Sequence, residues 1–172
     1  MASLAPFDST PGVVARRMLA LAGVKPGELV VDVGCGDGSI LVEAAKMRAR
    51  AVGVDLNPEL VASAKAAALA RGVDHRVQPV VGDFSCINTG RADVVTLYLT
   101  TDGNRRVLNR LLSQPGKKLR VVSHDFEVKG LNPWKVCDYR YTDFDVRRIY
   151  CYKVARRRQD RGFQASQRVK NA

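Results

Sequence analysis

Residues 29–38, Leu-Val-Val-Asp-Val-Gly-Cys-Gly-Asp-Gly, decide the fold of this chain. The stretch from Leu29 to Val33 is rich in β-branched residues, which predicts a short buried parallel strand. Gly34, Gly36 and Gly38 follow at every second position. Glycine permits a tight turn and lets a ligand lie close to the main chain. The stretch therefore predicts a strand that ends in a nucleotide-binding turn and leads into a helix.

Two acidic residues of this turn indicate which ligand it binds. Dinucleotide sites usually follow G-x-G-x-x-G and phosphate loops end in G-K-[ST], whereas this turn follows G-x-G-x-G. Asp32 lies within the strand and Asp37 within the turn. Their carboxylates would repel a pyrophosphate but would suit a ligand with a cationic amino group. S-adenosylmethionine (SAM) carries such a group together with a sulfonium.

Two further short strands end in an acid, and they extend the same site. The first ends at Asp55, 21 positions after Gly34, close to the offset of about 20 residues at which a carboxylate reaches a ribose diol. The second precedes Asp83 and Phe84, which can accept a hydrogen bond from an adenine amino group and cover the ring. The alternative is a doubly wound domain without a ligand. The three strands together favour a SAM site, and at this point the chain resembles the seven-strand (class I) SAM-dependent methyltransferases.

This resemblance implies an α/β fold: a doubly wound, Rossmann-like seven-strand methyltransferase sheet, parallel with a C-terminal antiparallel hairpin. Helices are expected from a Thr10 N-cap with Pro11 as first helical residue, over 40–47, from Asn57-Pro58 to Arg71-Gly72, and over 103–112. Further strands are expected over 93–99 and 119–126, and a hairpin is expected from 139–144 and 147–154. SAM is the expected cofactor and S-adenosyl-L-homocysteine its product. The residues expected to bind the cofactor are Asp32, Gly34, Cys35, Gly36, Asp37, Gly38, Asp55, Leu56, Asp83, Phe84 and Thr10.

The length and charge distribution of the chain indicate one domain followed by a basic tail. The chain has 172 residues and a formal net charge of +11. A single domain is expected over 1–155. Residues 156–172 contain six basic residues and one acid, so this tail is expected to be disordered or a frayed helix. It is either a solvated end or a contact for nucleic acid or an acidic protein surface.

No sequence signal points to a membrane, an export route or a metal. No stretch approaches 18 apolar residues, and residues 1–10 lack the features of a signal peptide. The four cysteines lack metal-binding spacing, so we expect reduced thiols, no metal site and a cytoplasmic location.

The segment after the fourth strand bears on the methyl acceptor. Enzymes that methylate the amino group of adenine or glutamine carry N/D-P-P-Y/F there, but this chain has Tyr98-Leu99-Thr100-Thr101-Asp102-Gly103-Asn104. There is also no Pro-Cys at this position. Base-amino methylation and cysteine-mediated attack on pyrimidine C5 are therefore both disfavoured.

A narrower resemblance covers about residues 6 to 154. The chain is similar to the small archaeal protein-lysine methyltransferases and to their mitochondrial relatives that methylate ATP synthase c-subunit or the adenine nucleotide translocase. The matching segments are P-F-D-S-T-P at 6–11, R-R-M-L at 16–19, V-G-C-G-D-G at 33–38, V-T-L-Y-L-T at 95–100 followed by Asn104, and V-V-S-H-D-F-E at 121–127. The chain departs from the family at Phe7, Ser9, Ser39 and Thr101-Asp102-Gly103. The mitochondrial relatives carry an N-terminal membrane segment. No such segment is evident in this sequence, so a soluble enzyme of the archaeal type is expected.

A lysine acceptor sets a specific chemical demand. Its amine has an ordinary pKa of about 10.4 and must lose a proton before it attacks the methyl group. Carboxylates at the strand ends can orient the ammonium, and a desolvated aromatic slot favours the neutral form. The candidates are Tyr98, Asp125 and Glu127, with His124 and Asn104 nearby, and Asp125 is the favoured carboxylate. Phe7 and Thr10-Pro11 could fold over the same edge as a lid. The alternatives are a hydrogen-bonded strand-end role for His124, a core role for Tyr98 and a solvated acid for Glu127.

Two other functions remain open from the sequence. One is an RNA methyltransferase, suggested by the net charge, although aromatic residues make up 6% of the chain and no RNA-binding module is evident. The other is a SAM-binding protein without catalysis. The expected partners are a protein substrate that presents lysine and an anionic partner for the basic tail.

Overall fold

Five parallel strands and an antiparallel hairpin form one seven-stranded sheet in the computed structural model, which describes residues 8–140 and 145–156. The sheet order is β3-β2-β1-β4-β5-β7-β6. Strands β1 to β5 are parallel, and β7 is antiparallel to both β5 and β6. This confirms the predicted doubly wound sheet with a C-terminal hairpin. The strands are β1 (Leu29–Val33), β2 (Arg50–Asp55), β3 (Val77–Val81), β4 (Val94–Leu97), β5 (Leu119–His124), β6 (Lys135–Arg140) and β7 (Val146–Val154).

Four α-helices connect the parallel strands or precede them. They are α1 (Gly12–Ala22), α2 (Ser39–Lys46), α3 (Pro58–Ala70) and α4 (Thr101–Ser113). The predicted cap of α3 is confirmed, because the Asn57 side chain accepts from the backbone N–H of Glu59 at 2.9 Å. The predicted start of α1 is wrong by one residue. Pro11 has ψ 139 and is itself the N-cap, so Thr10 does not cap the helix.

The central strands β1, β4 and β5 are buried on both faces, which explains why they are mostly apolar, whereas the edge strands β3 and β6 are largely exposed. Alternate residues of β1 enter different cores. Val30 packs with Met18, Leu19 and Leu41 on the side of α1 and α2. On the other side lie Val31, Val33, Leu97 and residues of α4 such as Val107, Leu108 and Leu111. Fully burying one such side chain stabilises the fold by about 1.5–3 kcal/mol.

Several predicted strand ends differ from the observed ones. Strand β5 ends at His124 rather than at residue 126, because Asp125 has φ 60 and leaves the extended conformation. Strand β4 covers Val94–Leu97 rather than 93–99, and β6 begins at Lys135 rather than at residue 139. Residues 141–144, which were predicted to belong to the hairpin, lie outside the described residues.

The basic tail predicted from residue 156 does not begin there. The Arg156 side chain is buried, with 8% exposure. It donates hydrogen bonds to the Thr89 carbonyl at 2.9 Å, the Thr89 hydroxyl at 3.1 Å and the Lys117 carbonyl at 3.0 Å. Arg156 is therefore part of the packed structure. Residues 157–172 lie outside the described part of the chain.

The helices of the described residues are all too short or too polar to cross a membrane.

Candidate active site

A cavity of about 390 Å³ lies over the C-terminal ends of β1, β2, β3 and β4. Ligands of doubly wound sheets bind at this edge, because right-handed crossovers bring the C-terminal ends of the parallel strands together there. Ten of the eleven residues predicted to bind the cofactor line the cavity: Thr10, Asp32, Gly34, Cys35, Gly36, Asp37, Asp55, Leu56, Asp83 and Phe84. Their shared location supports the prediction that they bind SAM.

Gly38, the eleventh predicted residue, has a packing role in the structure. It is the N-cap of α2 and has φ 81. A Cβ atom at this position would lie 2.7 Å from the Cβ atom of Ala64 in α3. Gly38 therefore lets α2 and α3 approach each other closely beside the cavity.

The glycine turn is held in place by the end of β2. The N–H groups of Gly34 and Cys35 donate to the Val54 carbonyl at 2.8 and 3.1 Å. The Gly36 N–H donates to Asp55 Oδ2 at 2.9 Å. Burial raises the pKa of the Cys35 thiol, with contributions from Asp32 and Asp55, so this side chain is a neutral wall of the cavity. The turn thus has a fixed shape and keeps the Asp55 carboxylate at the cavity.

Asp32 is a buried carboxyl group at the base of the cavity. Its exposure is 2%, and it accepts a hydrogen bond from the Thr96 hydroxyl at 2.5 Å. Burial raises the pKa of Asp32 to about 7 against the opposing effect of Thr96, and the charges of Asp55 and Asp37 raise it further. A cationic ligand group in the cavity would favour ionised Asp32, which fits the amino group of SAM.

The segment before α1 closes one side of the cavity. Ser9 donates to Asp37 Oδ2 at 2.6 Å, while Asp37 Oδ1 accepts from the backbone N–H and the hydroxyl of Ser39 at 3.1 and 2.9 Å. Thr10 is buried and also lines the cavity. Phe7, which was predicted to act as a lid, lies outside the described residues.

Asp83 and Phe84 form the far end of the cavity, as expected for an adenine site. Hydrogen bonds from Ser85 lower the pKa of Asp83, and its Oδ1 atom accepts from the Ser85 N–H at 2.7 Å. Asp83 is therefore an anionic acceptor at neutral pH. The Phe84 ring is buried, whereas Leu56 is 42% exposed and presents an apolar side chain at the cavity rim.

Tyr98 is the one predicted catalytic residue that lines the cavity. Its hydroxyl donates to Asp8 Oδ2 at 2.7 Å. Burial raises the pKa of the Tyr98 hydroxyl, and the Asp8 carboxylate raises it further. The hydroxyl is therefore protonated at neutral pH and acts as a donor to Asp8.

His124 lies behind Tyr98. The two rings make an edge-to-face contact with centroids 4.3 Å apart. The Nε2 atom of His124 is hydrogen-bonded to the Tyr139 hydroxyl. Burial lowers the pKa of His124 despite the neighbouring Asp125 carboxylate, so the imidazole is neutral. The ring supports Tyr98 from the core and does not line the cavity.

Asp125 lies beyond His124, outside the SAM cavity. Its Oδ2 atom accepts from Arg147 at 2.5 Å, and its Oδ1 atom is 3.6 Å from His124 Nε2. It lines a second cavity together with Asp138, Asp145, Val146, Arg147, Arg148 and Tyr150. Arg147 thus already compensates the carboxylate that was predicted to hold a lysine ammonium. Contact of Asp125 with the acceptor stays a prediction.

Asn104 connects α4 to the end of β5. Its Nδ2 atom donates to the Ser123 hydroxyl at 3.0 Å and to the Phe126 carbonyl at 2.9 Å. The side chain is fully buried and does not line the cavity. The structure therefore gives Asn104 a positioning role for the strand end.

Two residues that line the cavity, Asp8 and Ser9, were not among the predicted site residues. They precede the first helix in a segment without periodicity. Their partners lie 90 and 28 residues away in sequence. The signal that could have found them is the run of three polar residues Asp8-Ser9-Thr10 directly before α1. Within the described residues, no group of histidine, cysteine or acidic side chains could hold a metal ion.

The sheet, the glycine turn and the carboxylates at three strand ends together define a SAM-dependent methyltransferase. The model of the ANTKMT methyltransferase domain family matches residues 32–135. The chain belongs to this family, which confirms the resemblance inferred from the sequence.

Curated relatives support the same family. The chain is 41% identical over 133 residues to a protein-lysine N-methyltransferase of Saccharolobus islandicus, which covers 76% of this chain and 83% of that protein. It is 39% identical over 121 residues to the lysine N-methyltransferase of Xenopus laevis that is named for the ATP synthase c-subunit. The latter match covers 70% of this chain and 53% of the Xenopus protein.

Solved structures share the fold and support the cofactor. One similar structure is the crystal structure of an RNA methyltransferase from Salinibacter ruber in complex with S-adenosyl-L-homocysteine. Its TM-score to this protein is 0.80 and the sequences are 32% identical. The match covers 89% of this chain and 97% of that chain. Magnesium protoporphyrin IX methyltransferase of Synechocystis with the same product bound has a TM-score of 0.65 and 18% identity, and covers 83% of this chain and 80% of that chain. SAM is the cofactor of this enzyme.

Proposed function

We propose that this enzyme transfers methyl groups to lysine side chains of proteins. The observation that carries the proposal is the 41% identity to the Saccharolobus protein-lysine N-methyltransferase, which extends over 83% of that protein. The Xenopus relative also acts on lysine, as its name states. The cavity geometry supports the same acceptor, because a carboxylate and an aromatic hydroxyl meet at its wall.

Different residues of the cavity would bind the methionine, ribose and adenine parts of SAM. The backbone of Gly34 to Gly36 and the carboxylates of Asp32 and Asp37 suit the methionine part with its cationic amino group. Asp55 suits the ribose diol, and Asp83 with Phe84 suits the adenine. When bound, SAM supplies a methyl group on a sulfonium that is open to in-line displacement. The protein contributes by positioning the acceptor and excluding water.

The acceptor would enter beside Tyr98. A carboxylate accepts several hydrogen bonds, so Asp8 can hold the Tyr98 hydroxyl and a lysine ammonium together. The half-buried Tyr98 ring, backed by the buried His124, gives this wall an apolar surface that favours the neutral form of a bound lysine amine, whereas the Asp8 carboxylate favours the ammonium. The neutral amine has the lone pair that attacks the methyl group. Asp125 would orient the ammonium from the outer side, next to Arg147.

The partner and location that we propose follow from the same features. The protein substrate presents a lysine to the cavity rim. The basic residues after Arg156 are proposed to contact an anionic partner, supported by their charge. The cytoplasm is the proposed location, because Cys35, Cys86, Cys137 and Cys151 are free thiols, as expected in a reducing compartment.

One specific observation favours a second candidate, an RNA methyltransferase. The Salinibacter enzyme is named as one, and it is 32% identical over 89% of this chain. Its glycine turn and sheet are shared by methyltransferases with many acceptors, so this likeness does not select RNA over protein.

The deciding experiment is transfer of labelled methyl groups to a lysate of the source organism. One half of the product is digested with nuclease and the other with protease, and modified residues are identified by mass spectrometry. The expected result is protease-sensitive label on lysine. Label that is lost with nuclease, or that occurs on arginine or glutamine, would overturn the lysine proposal. The Asp55→Ala variant, which should bind SAM poorly, serves as the background control.

A further inference from the structure

An exposed tryptophan on the hairpin is surrounded by positive charge. Trp134 precedes β6 and is 46% exposed. The Nζ atom of Lys153 lies 3.7 Å from the centroid of its ring, and that of Lys135 lies 4.3 Å from it. We call these three residues the Trp134 corner.

The corner is held rigidly by the sheet. The backbone N–H of Trp134 donates to the Cys151 carbonyl of β7 at 2.7 Å. Lys135 is paired with Cys151, and Lys153 follows two residues later on the same face of β7. The two lysines therefore project from neighbouring strands toward one ring. The backbone of Trp134 is held by this pairing, independently of the lysine side chains.

The charge of the corner is not compensated nearby. Among residues 8–140 and 145–156, neither Lys135 nor Lys153 forms an ion pair with a carboxylate. Two ammonium groups beside one ring repel each other, and each gains only a modest cation–π attraction. An anionic partner would compensate both. The Trp134 corner is therefore a positively charged surface that would bind an anionic group.

The basic surface continues from the corner toward the start of β5. Lys153 pairs with Arg120, whose guanidinium contacts Glu28 at 2.6 Å. Lys118 precedes β5 and is exposed, whereas the neighbouring Lys117 is paired with Asp93 at 2.5 Å. Arg156, the last described residue, donates to the Lys117 carbonyl at 3.0 Å.

We propose that the Trp134 corner binds single-stranded nucleic acid. Such a strand offers phosphates to the two lysines and an unstacked base to the indole, and this combination of cationic side chains with an aromatic platform is how single strands are bound. In the structure the two ammonium groups lie over the ring, so a base would stack there as these groups move to the phosphates. An acidic peptide would satisfy the charge but offers no planar base to replace them on the ring. A duplex keeps its bases stacked on each other. None of the corner residues lines the SAM cavity, so this binding is separate from methyl transfer and goes beyond the proposed function.

The test uses the tryptophan itself as the probe. Trp134 is the one tryptophan of the sequence, so its fluorescence reports directly on the corner. The full-length protein is titrated with a single-stranded deoxythymidine oligonucleotide of about 12 nucleotides at low salt. Quenching is expected, with an affinity that falls with salt. A plot of the logarithm of the binding constant against the logarithm of the salt concentration is expected to have a slope of about −1.4 or steeper. Each of the two phosphate contacts on a single strand contributes about −0.7 to this slope.

Variants separate the corner from general positive charge. Lys135→Glu combined with Lys153→Glu should raise the Kd more than tenfold. The control combines Lys65→Glu on α3 with Arg105→Glu on α4; both residues are exposed, and the net charge changes equally. This control should bind within twofold of the parent. If the glutamate variant does not fold, Lys135→Gln with Lys153→Gln should still raise the Kd severalfold.

Stacking is tested with a labelled oligonucleotide and fluorescence anisotropy. Trp134→Ala should weaken binding about tenfold, whereas Trp134→Phe should keep most of the affinity. Three results would overturn the proposal: no quenching at low salt, equal loss in the charge-matched control, or equal affinity for poly-glutamate or a duplex of the same charge. SAM affinity and lysine methylation are measured on the same variants and should not change. A negative binding result thus leaves the proposed function untouched.

Discussion

The Tyr98 hydroxyl donates a hydrogen bond to the Asp8 carboxylate across 2.7 Å, and this bond joins the segment before α1 to the end of β4 over 90 residues of sequence. It places a neutral phenol and a carboxylate at the same wall of the SAM cavity. The cofactor site is thereby enclosed by a segment that belongs to no helix or strand.

Removing this hydrogen bond should impair methyl transfer more than cofactor binding. We expect Tyr98→Phe to lower kcat on a protein substrate at least tenfold, because the acceptor would lose an oriented carboxylate, while the Kd for SAM changes less than threefold. Tyr152→Phe is the matched control, since the buried Tyr152 hydroxyl accepts from the Val128 N–H at 3.0 Å outside the cavity. Steady-state kinetics and calorimetry give both quantities. Equal kcat in Tyr98→Phe and the parent would exclude this wall as the acceptor site.

Asp55→Ala should weaken SAM binding at least tenfold. The substitution removes hydrogen bonds to a charged group, which are worth about 1.5–3 kcal/mol each. It also releases the Gly36 N–H. Asp93→Ala is the control, because Asp93 accepts from the Leu29 N–H at 2.9 Å at the opposite end of the sheet. Both variants should lose stability, but calorimetry should show reduced SAM affinity for Asp55→Ala alone. An unchanged Kd for that variant would refute the ribose assignment.

Asp32 should make both stability and SAM binding depend on pH. Its folded-state pKa of about 7 exceeds the unfolded value of about 3.9, so the folded protein holds a proton that the unfolded chain releases. Stability should therefore fall between about pH 4 and pH 7, by up to about 4 kcal/mol at 1.36 kcal/mol for each pKa unit. Asp32→Asn should be more stable than the parent at pH 8 without SAM and similar to it at pH 4. Thermal melts of the two proteins across this range are the measurement.

The affinity for SAM should change in the opposite direction to stability. The cationic amino group of SAM favours ionised Asp32, so binding to the parent should strengthen from pH 6 to pH 7.5 and release protons. Calorimetry in buffers with different ionisation enthalpies detects that release. A parent affinity that is as flat with pH as that of Asp32→Asn would show that Asp32 does not face the amino group.

Asp125→Asn tests whether the carboxylate beside Arg147 acts on the acceptor. Asparagine fits the φ of 60 at this position, so the backbone is retained. If Asp125 orients the lysine ammonium, the variant should bind SAM normally and lose most lysine methylation. Asp145→Asn is the control, because Asp145 also pairs with Arg147, at 2.8 Å. Equal loss of activity in both variants would assign the effect to Arg147 and remove Asp125 from the acceptor site.

Much of this architecture was predictable because its signals are local. The apolar strands and the glycine turn are defined by residues a few positions apart, and Asn57-Pro58 marks a helix start by its own chemistry. Contacts between distant segments were not predictable. The ion pair of Asp125 with Arg147 depends on how β5 and β7 align, and the Asp8–Tyr98 contact depends on how the segment before α1 folds back. The polar run before α1 marks Asp8 as a candidate, but neither pairing of two distant residues leaves a pattern in the sequence.

Arg156 shows why composition misplaced the end of the domain. Its neighbours in sequence are basic, which indicates a solvated tail, but its side chain satisfies backbone carbonyls of Thr89 and Lys117. A chain truncated after Ala155 should therefore melt about 5–10 °C lower than one truncated after Arg156. This corresponds to a loss of about 2–3 kcal/mol at 2–4 °C for each kcal/mol. Equal melting temperatures would show that these hydrogen bonds contribute no net stability.

The strand order also constrains how the chain can fold. Strand β7 lies between β5 and β6, although β6 comes first in the chain. Within the described residues β6 pairs with β7 alone, so β6 can join the sheet only by pairing with β7. Strand β7 can pair with β5 with or without β6, and this pairing joins segments 25 to 35 residues apart, from His124 with Ile149 to Leu119 with Val154. The parallel pairing of Val30 with Val94 joins residues 64 positions apart, and such long-range pairing is slow relative to local pairing. The β6–β7 hairpin, in which Arg140 pairs with Val146, can therefore form before the parallel strands assemble.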